Sequence, residues 1–231
     1  TVGVADYLNT VAGLNIKHEI NTINKLVDSE SRPMTIIISG AKVSTKIVLI
    51  KKLLDKCDHM ILGGGILNTF LKAKGYEVGA SLLEEKFIQE ARLILESDLT
   101  GKIIFPSDLS CQTENGVANN KVSCISENDI IYDIGTDSID KIKSIIKNST
   151  SVFWNGPLGY VEKKPFNIAT EELAKTIAAH NCFSIVGGGD TLPIIESLNL
   201  QDKYDCLSTG GGSLLSYLEG TPLPILDKLK L

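Results

Sequence analysis

The chain has 231 residues, of which 43% are hydrophobic and 22% are charged, a composition typical of a globular protein with a large buried core. The formal net charge of −5 excludes a general electrostatic attraction to nucleic acid or to an anionic membrane surface. No apolar run reaches the length of a membrane span, and no signal-peptide pattern opens the chain. The five cysteines are widely spaced and form no C-x-x-C pair, which predicts reduced thiols and a cytoplasmic protein.

Apolar segments typical of strands alternate with amphipathic segments typical of helices along almost the whole chain. Strands are predicted at Thr35–Ser39, His59–Leu62, Lys102–Phe105, Ile130–Ile134, Ser151–Trp154, Phe183–Val186 and Asp205–Ser208. Three helical faces are predicted from apolar spacing, in the sets Ile16, Ile20, Ile23 and Val27; Leu82, Phe87, Ala91 and Leu95; and Ile139, Ile142, Ile145 and Ile146. Continuous apolar strands separated by helices are typical of a buried parallel sheet. The predicted fold is therefore a three-layer α/β, Rossmann-like domain, with a mostly parallel sheet of about six strands and helices on both faces.

The stretch Ser107–Glu127 interrupts this alternation. It is polar and contains Asn115-Gly116, a pair that favours a tight turn between two strands, so it predicts a surface hairpin. No linker rich in proline, glycine or serine divides the chain. One compact domain is expected to account for most of it.

Three runs of three glycines, at 63–65, 187–189 and 210–212, each follow a predicted strand and precede a helical segment. In a parallel α/β sheet, ligands bind at the carboxyl ends of the strands. Consecutive backbone N–H groups at a helix start form a cradle for phosphate. A single run could be an ordinary tight turn, but three runs at the same kind of junction favour a protein that binds nucleotide phosphates.

Two lysines follow the first strand, in the segment from Ser39 to Lys46. Lys42 and Lys46 are four residues apart, so on a helix they share a face. Positive side chains in a first helical turn oppose the helix dipole and are mildly destabilising unless an anion lies nearby. The alternatives are two solvated surface lysines or a clamp for a polyphosphate.

Polar side chains follow two other predicted strands. Asp190 and Thr191 come directly after the second glycine run, where either a helix cap or a Mg²⁺–phosphate site would use them. Asn155 follows the strand predicted at Ser151–Trp154 and precedes Gly156-Pro157, and Glu162 lies a few residues further along. Glu162 is either an exposed acid or an acceptor for ribose hydroxyls.

Four motifs in this order and spacing resemble phosphoglycerate kinase. They are Gly40-Ala41-Lys42-Val43, Trp154-Asn155-Gly156-Pro157, Gly187–Thr191 and Ser208–Gly212. The resemblance runs from about Val2 to Pro224 and is to the carboxyl-terminal, nucleotide-binding half of that two-domain enzyme. It implies reversible phosphoryl transfer between 1,3-bisphosphoglycerate and ADP in glycolysis, with Mg²⁺ and ADP or ATP bound by this chain.

The resemblance also implies roles for individual residues. Lys42, with the backbone of Gly188 and Gly211, would stabilise the transferring phosphoryl group. Asp190 would hold Mg²⁺. The remaining nucleotide-binding positions would be Lys46, Asn155, Gly188, Gly189, Thr191 and Gly212 at the phosphates, Gly40, Gly63, Gly64 and Gly135 at the adenine, and Glu162 at the ribose, with Ala41 as a further nucleotide-binding residue. Three departures from the family pattern remove no charged group: Ser39 for glycine, Ser213 for alanine, and Tyr160-Val161 for Val-Phe.

The family holds phosphoglycerate on a separate amino-terminal domain through an arginine-rich patch, but this chain has only Arg32 and Arg92 among its 23 basic residues. The bidentate grip of arginine on phosphate and carboxylate is therefore absent. Residues 1–10 are expected to be the end of the missing domain, 11–219 the nucleotide-binding domain with the interdomain helix at about 11–27, and 220–231 a segment leading back to the missing domain. We expect a monomer that binds MgADP or MgATP, meets 1,3-bisphosphoglycerate or 3-phosphoglycerate only through that domain, and alone has little or no turnover.

Two alternatives belong to other functional classes. A non-catalytic nucleotide-binding module would have the same phosphate cradles but no use for Lys42. A dinucleotide-dependent oxidoreductase is disfavoured because the chain contains no G-x-G-x-x-G, and a P-loop is equally absent.

Overall fold

The computed structural model describes residues 2–27 and 31–229. Its centre is a six-stranded sheet in the order β3-β2-β1-β7-β8-β9, in which all neighbouring strands are parallel. The strands are β1 (Met34–Ser39), β2 (His59–Gly63), β3 (Ile103–Ile104), β7 (Ser151–Asn155), β8 (Phe183–Gly187) and β9 (Cys206–Ser208). The mostly parallel six-stranded sheet predicted from the sequence is confirmed.

Eight α-helices lie in the described part of the chain, and all but the first and the last lie between strands. They are α1 (Leu14–Val27), α2 (Ile47–Leu54), α3 (Gly64–Lys74), α4 (Ile88–Ser97), α5 (Thr136–Lys147), α6 (Ile168–Ala179), α7 (Leu192–Ser197) and α8 (Gly212–Leu218). From β1 the chain proceeds outward to β2 and β3, and from β7 it proceeds the other way to β8 and β9. Because parallel crossovers are right-handed, these two directions place the connecting helices on opposite faces of the sheet.

The central strands are buried throughout. Every residue of β1 and β7 is buried, and Ile37, Ile38 and Trp154 are completely inaccessible to solvent. This burial explains the continuous apolar runs in the sequence, since both faces of the sheet are covered by helices.

A second, three-stranded antiparallel sheet lies outside the main one, in the order β5-β4-β6. It contains β4 (Asp108–Thr113), β5 (Gly116–Lys121) and β6 (Ile130–Ile134). The predicted hairpin is therefore present, but one face of it is buried, because Leu109 and Cys111 are fully inaccessible. Of the seven predicted strands, Ile130–Ile134 is the one outside the parallel sheet, because it pairs with this hairpin.

Two predicted helical faces need correction. Leu82 precedes α4 and is 60% exposed, and Ile16 in α1 is 42% exposed. The buried side of α1 contains Ile20, Ile23 and Leu26. The interdomain helix expected from about residue 11 begins at Leu14. The predicted terminal segments 1–10 and 220–231 include residues 1, 230 and 231, which lie outside the described residues.

Within the described residues, no helix has the length and apolarity needed to cross a membrane. All five cysteines are free thiols, and only Cys124 is exposed.

Each glycine run lies between a strand and a helix, as predicted: Gly63 ends β2 and α3 begins at Gly64, Gly187 ends β8, and Gly212 begins α8.

Candidate functional site

The strand order reverses between β1 and β7, and this switch point is where open α/β sheets place ligands. Ser39 ends β1 and Asn155 ends β7. The amine of Lys46 connects the two strand ends: Lys46 Nζ donates to the Ser39 carbonyl oxygen and to Asn155 Oδ1, each at 2.5 Å. The predicted Lys46 and Asn155 therefore meet at the switch point.

The Lys46 amine is held away from bulk water but is not covered by side chains. Burial lowers the pKa of this amine to about 8, although the nearby Asp190 carboxylate opposes the shift. A Cβ atom added at Gly40 or at Gly156 would lie 3.4 Å from Lys46 Nζ. The two glycines therefore leave the ammonium open toward the carboxyl edge of the sheet, where an anion can approach it.

Lys42 lies on the connection between β1 and α2, and its predicted helical setting was wrong. Lys42 has an extended backbone, a short 3-10 turn spans Val43–Thr45, and α2 begins only at Ile47. The two lysines therefore do not share a helix face, and the dipole argument does not apply to them. Lys42 is exposed, so its side chain is accessible from solvent.

A carboxylate outside the predicted motifs fixes this connection. Glu84 accepts hydrogen bonds from the Ser44 N–H at 2.7 Å and the Ser44 hydroxyl at 2.9 Å. These two bonds hold the pKa of the Glu84 carboxyl below its ordinary value, and Lys42 contributes in the same direction. The 3-10 turn that follows Lys42 is thus anchored from a segment forty residues away in the sequence.

The second glycine run ends β8 beside Asn155. A side chain at Gly188 would approach Thr191 Oγ1 at 3.2 Å and Asn155 Nδ2 at 3.4 Å, and its φ of +119° favours glycine. Nothing lies within 4 Å of the Cβ position of Gly189. Thr191 is completely buried, and its hydroxyl accepts the Gly156 N–H at 3.2 Å. Thr191 thus ties this loop to the end of β7.

The third glycine run is joined to α1. The Ser208 hydroxyl donates to Glu19, and it also accepts the Gly210 N–H at 3.2 Å. The Cβ positions of Gly211 and Gly212 are open, so their backbone is accessible. Sequence reasoning missed Glu19, because nothing local in α1 distinguishes it from other surface acids.

The first glycine run is packed more tightly. A Cβ at Gly63 would lie 2.5 Å from Ser39 Oγ, and one at Gly65 would lie 2.3 Å from the Ala41 carbonyl oxygen. The Ser39 hydroxyl donates to the Pro157 carbonyl oxygen. These close approaches need glycine and hold the ends of β1, β2 and β7 together.

The residues expected around the adenine are not all adjacent. Gly64 lines a narrow gap together with Ile134 and Leu158. Gly135, one residue further along, is buried against Asp108, with which a side chain at this position would collide. Gly135 therefore serves the packing of α5 in this structure. Gly40 and Ala41 lie on the connection between β1 and α2, and Gly63 ends β2.

Glu162 lies beyond the end of β7 and is exposed. No hydrogen bond or ion pair joins its carboxylate to the described part of the chain. Tyr160, two residues earlier, packs its ring at 5.3 Å from that of Tyr132. The predicted ribose contact of Glu162 stays a prediction.

Asp190 fits the requirements of a Mg²⁺–nucleotide complex. It is exposed, and within the described residues its carboxylate has no hydrogen-bond or ion-pair partner. The described residues contain no cluster of three or more side chains that could hold a metal ion by themselves. Because Mg²⁺ uses one or two carboxylates and completes its shell with phosphate oxygens and water, Asp190 suits a metal that arrives with a nucleotide.

The fold and the site together define a class of protein: a doubly wound α/β domain with glycine-rich loops at the carboxyl ends of its strands and lysines at its switch point. The sequence model of one family, described as phosphoglycerate kinase, matches residues 1–221. The chain belongs to the phosphoglycerate kinase family.

Individual relatives agree with this assignment. The chain is 42% identical over 232 residues to a phosphoglycerate kinase of Baumannia cicadellinicola, and 38% identical over 237 residues to one of Francisella tularensis. Among solved structures, a phosphoglycerate kinase from Coxiella burnetii superposes with a TM-score of 0.91 at 34% identity, over 98% of this chain. The chain spans 59% and 60% of the length of the two relatives and 60% of the solved chain.

Proposed function

We propose that this chain is the nucleotide-binding half of a phosphoglycerate kinase, which binds MgADP or MgATP for reversible phosphoryl transfer with 1,3-bisphosphoglycerate. The observation that carries the proposal is the Lys46 ammonium, which is hydrogen-bonded at 2.5 Å to two strand ends at the switch point. Gly40 and Gly156 leave it uncovered. A partly dehydrated cation of this kind is suited to bind phosphate oxygens.

The surrounding residues supply the remaining requirements for a polyphosphate. The exposed backbone at Gly189, Gly211 and Gly212 offers N–H groups where added side chains would meet no atom, so phosphate oxygens have room to approach. Mg²⁺ held by Asp190 and nucleotide oxygens would neutralise phosphate charge. The exposed Lys42 ammonium would stabilise the charge on the phosphoryl group as it transfers, and stabilisation of this kind is the main form of catalysis in such reactions.

The described residues contain no site for phosphoglycerate that is comparable to the candidate nucleotide site. We infer that phosphoglycerate is bound by the part of the whole protein that this chain does not contain. Catalysis then depends on bringing two halves together, so that acyl phosphate and nucleotide are in line and water is excluded.

Calorimetric titration of the purified chain with MgADP tests the nucleotide half of the proposal. We expect micromolar-to-millimolar dissociation constants, weakened about 10- to 100-fold in Asp190→Ala and Lys46→Ala, since each loses a charge-assisted contact. The exposed neighbours Asp202 and Lys203 lie before β9 at the opposite edge of the sheet and give matched controls. Asp202→Ala and Lys203→Ala should bind like the unmodified chain.

Two results would contradict the proposal. A folded unmodified chain that binds no MgADP would remove the nucleotide site. Binding that is weakened equally by the site variants and by the two controls would show a general electrostatic effect instead of a site. Circular dichroism and thermal melting of every variant separate loss of binding from loss of structure.

A further inference from the structure

The Glu84 side chain joins two segments that border the candidate site. Glu84 lies between α3 and α4, directly before a 3-10 turn at Glu85–Phe87. One oxygen of its carboxylate accepts the Ser44 N–H at 2.7 Å, and the other accepts the Ser44 hydroxyl at 2.9 Å. Because both hydrogen bonds go to one residue, they fix the position and the orientation of Ser44 together.

Glu84 is itself fixed from the side of α3. The Glu84 N–H donates to Thr69 Oγ1 at 3.2 Å, and the Thr69 hydroxyl donates to the Gly65 carbonyl oxygen at 2.9 Å. Thr69 is completely buried. The residue that holds Ser44 is therefore connected through hydrogen bonds to the start of α3, in the first glycine run.

The backbone that carries Lys42 is held on both sides of this residue. On one side, Ala41 packs against Gly65, where an added Cβ would lie 2.3 Å from the Ala41 carbonyl oxygen. On the other side, Val43 is completely buried, and the Thr45 hydroxyl donates to the Lys42 carbonyl oxygen at 2.9 Å. The Lys42 backbone is thus fixed, although its side chain is exposed.

We propose that Glu84 is a positioning residue, which holds the backbone of Lys42 so that the Lys42 ammonium reaches the terminal phosphoryl group of a bound nucleoside triphosphate. The inference rests on the proposed function and adds to it a residue outside the glycine-rich motifs. A long side chain loses rotamer entropy when it meets a ligand, and a fixed backbone leaves fewer degrees of freedom to restrict. Without the anchor, the ammonium would meet the phosphoryl group in fewer of its conformations.

Charge and positioning predict opposite effects for Glu84. Its carboxylate lies close enough to Lys42 to interact with it electrostatically, so it offsets part of the positive charge that a phosphate would meet. If Glu84 acted through charge alone, a neutral replacement would tighten the binding of an anion. If Glu84 positions Lys42, the same replacement weakens that binding. The direction of the change therefore distinguishes the two roles.

Calorimetric titration of the 231-residue chain with MgATP and with MgADP tests the proposal. In Glu84→Gln we expect MgATP to bind about 5-fold more weakly, and in Lys42→Ala about 10-fold more weakly, because both variants impair the contact with the terminal phosphoryl group. The affinity for MgADP, which lacks that group, should change by less than about 2-fold. The variant that combines both substitutions should bind MgATP within about 2-fold of Lys42→Ala, since the anchor acts only through this lysine.

Glu85→Gln is the matched control, because it removes the same charge at the exposed neighbouring position. It should leave both affinities within about 2-fold of those of the unmodified chain. Ser44→Ala removes the hydroxyl partner of Glu84 and keeps the backbone N–H, so it should weaken MgATP binding about 3-fold without affecting MgADP. That variant decides the question if Glu84→Gln does not fold.

Four results would overturn the positioning role while leaving the nucleotide site intact. They are unchanged or tighter MgATP binding by Glu84→Gln, equal weakening of MgATP and MgADP by that variant, unchanged MgATP binding by Lys42→Ala, and additive losses when the two substitutions are combined. In the fallback case, an effect of Ser44→Ala on neither nucleotide or on both equally would do the same. An unmodified chain that binds neither nucleotide would overturn the proposed function as well.

Discussion

The amine of Lys46 combines two properties that usually conflict. It is dehydrated enough for its pKa to lie near 8, and it remains accessible because glycines occupy the two positions from which a side chain would cover it. Desolvation disfavours its charged form, so an approaching anion gains more from this ammonium than from a surface lysine. The hydrogen bonds to Asn155 and to the Ser39 carbonyl oxygen also fix the position of the Lys46 amine before any ligand binds.

The lowered pKa of Lys46 predicts that this amine takes up a proton when the nucleotide binds. Above pH 8 the free amine has lost most of its proton, and a bound polyphosphate favours the charged form and raises the pKa. We expect MgADP affinity to fall as the pH rises from 7 to 9.5, with net uptake of a fraction of a proton per binding event at pH 8.5. Calorimetry in buffers of different ionisation enthalpy measures that uptake. Lys46→Met should abolish it and Lys203→Met should not, and unchanged uptake in Lys46→Met would contradict the assignment.

At the residue scale, the sequence predicts which polar residues lie near the site better than it predicts their backbone conformation and contacts. Lys46, Asn155 and Asp190 were predicted from their place after strands, and the structure brings the first two into contact and places the third within electrostatic range. The helical pairing of Lys42 with Lys46 failed because a 3-10 turn, anchored by a distant Glu84, replaces the first turn of α2. No local pattern reveals that anchor.

At the level of elements, buried aspartates join the second sheet to the helices around the site. Asp108 at the start of β4 accepts the Ser138 N–H at 2.8 Å and the Asp137 N–H at 3.1 Å, and the Ser138 hydroxyl at 2.6 Å. These are the unpaired donors of the first turn of α5. A single carboxylate therefore caps the helix and connects it to the neighbouring strand.

We predict that Asp108→Ala lowers the free energy of unfolding by about 2–3 kcal/mol, because it leaves buried donors unpaired. Urea denaturation followed by circular dichroism measures the change. Asp140→Ala, an exposed aspartate on the same helix, should lie within about 0.5 kcal/mol of the unmodified chain. Equal stability of the two variants would mean that the cap contributes little.

Asp133 at the end of β6 predicts a pH dependence of stability. Burial raises the pKa of its carboxyl to about 7, although hydrogen bonds from the Ala169 and Ile134 N–H groups oppose the shift. Since this pKa is higher in the folded than in the unfolded chain, its stabilising contribution is complete below about pH 4 and is lost as the pH rises through 7.

We therefore expect this group to lower the free energy of unfolding by up to about 4 kcal/mol between pH 4 and pH 7.5. In Asp133→Asn, which cannot ionise, that part of the decline should disappear. Urea denaturation at half-unit pH steps, with exposed Asp140→Asn as the control, gives the difference between the profiles. Parallel profiles for Asp133→Asn and the unmodified chain would refute the assignment.

For the whole molecule, topology explains why the site lies at the junction of β1 and β7. The order β3-β2-β1-β7-β8-β9 makes these two strands neighbours although about a hundred residues separate them. The alternating pattern of the sequence predicts the strands and the glycine turns, because both depend on local chemistry. It does not predict the contact between Glu19 and Ser208, 189 residues apart, or the separate sheet that removes β6 from the parallel one, because those depend on tertiary pairing.

The chain spans 59–60% of its relatives, and only Arg32 and Arg92 among its basic residues are arginines. Arg32 donates to the Lys56 carbonyl oxygen and lies 3.4 Å from Asp58, at the amino edge of the sheet. It is therefore remote from the glycine runs. Under the proposed function, an arginine grip on phosphoglycerate would therefore have to be supplied by a part of the whole protein outside this chain, and for this reason we expect the chain alone to bind nucleotide without turnover.

We predict that the chain alone binds MgADP but gives no turnover in a coupled assay of ATP formation from 1,3-bisphosphoglycerate. Fusion to the unmatched part of the Baumannia relative, which we propose to be the amino-terminal domain, should produce turnover. In that fusion Lys42→Ala should lower kcat at least about 100-fold while MgADP affinity changes less than about 5-fold, because Lys42 acts on the transferring group. Lys51→Ala, exposed on α2, should have no effect. Turnover by the chain alone would show that it holds both substrates, and a fully active Lys42→Ala fusion would favour a non-catalytic nucleotide-binding module.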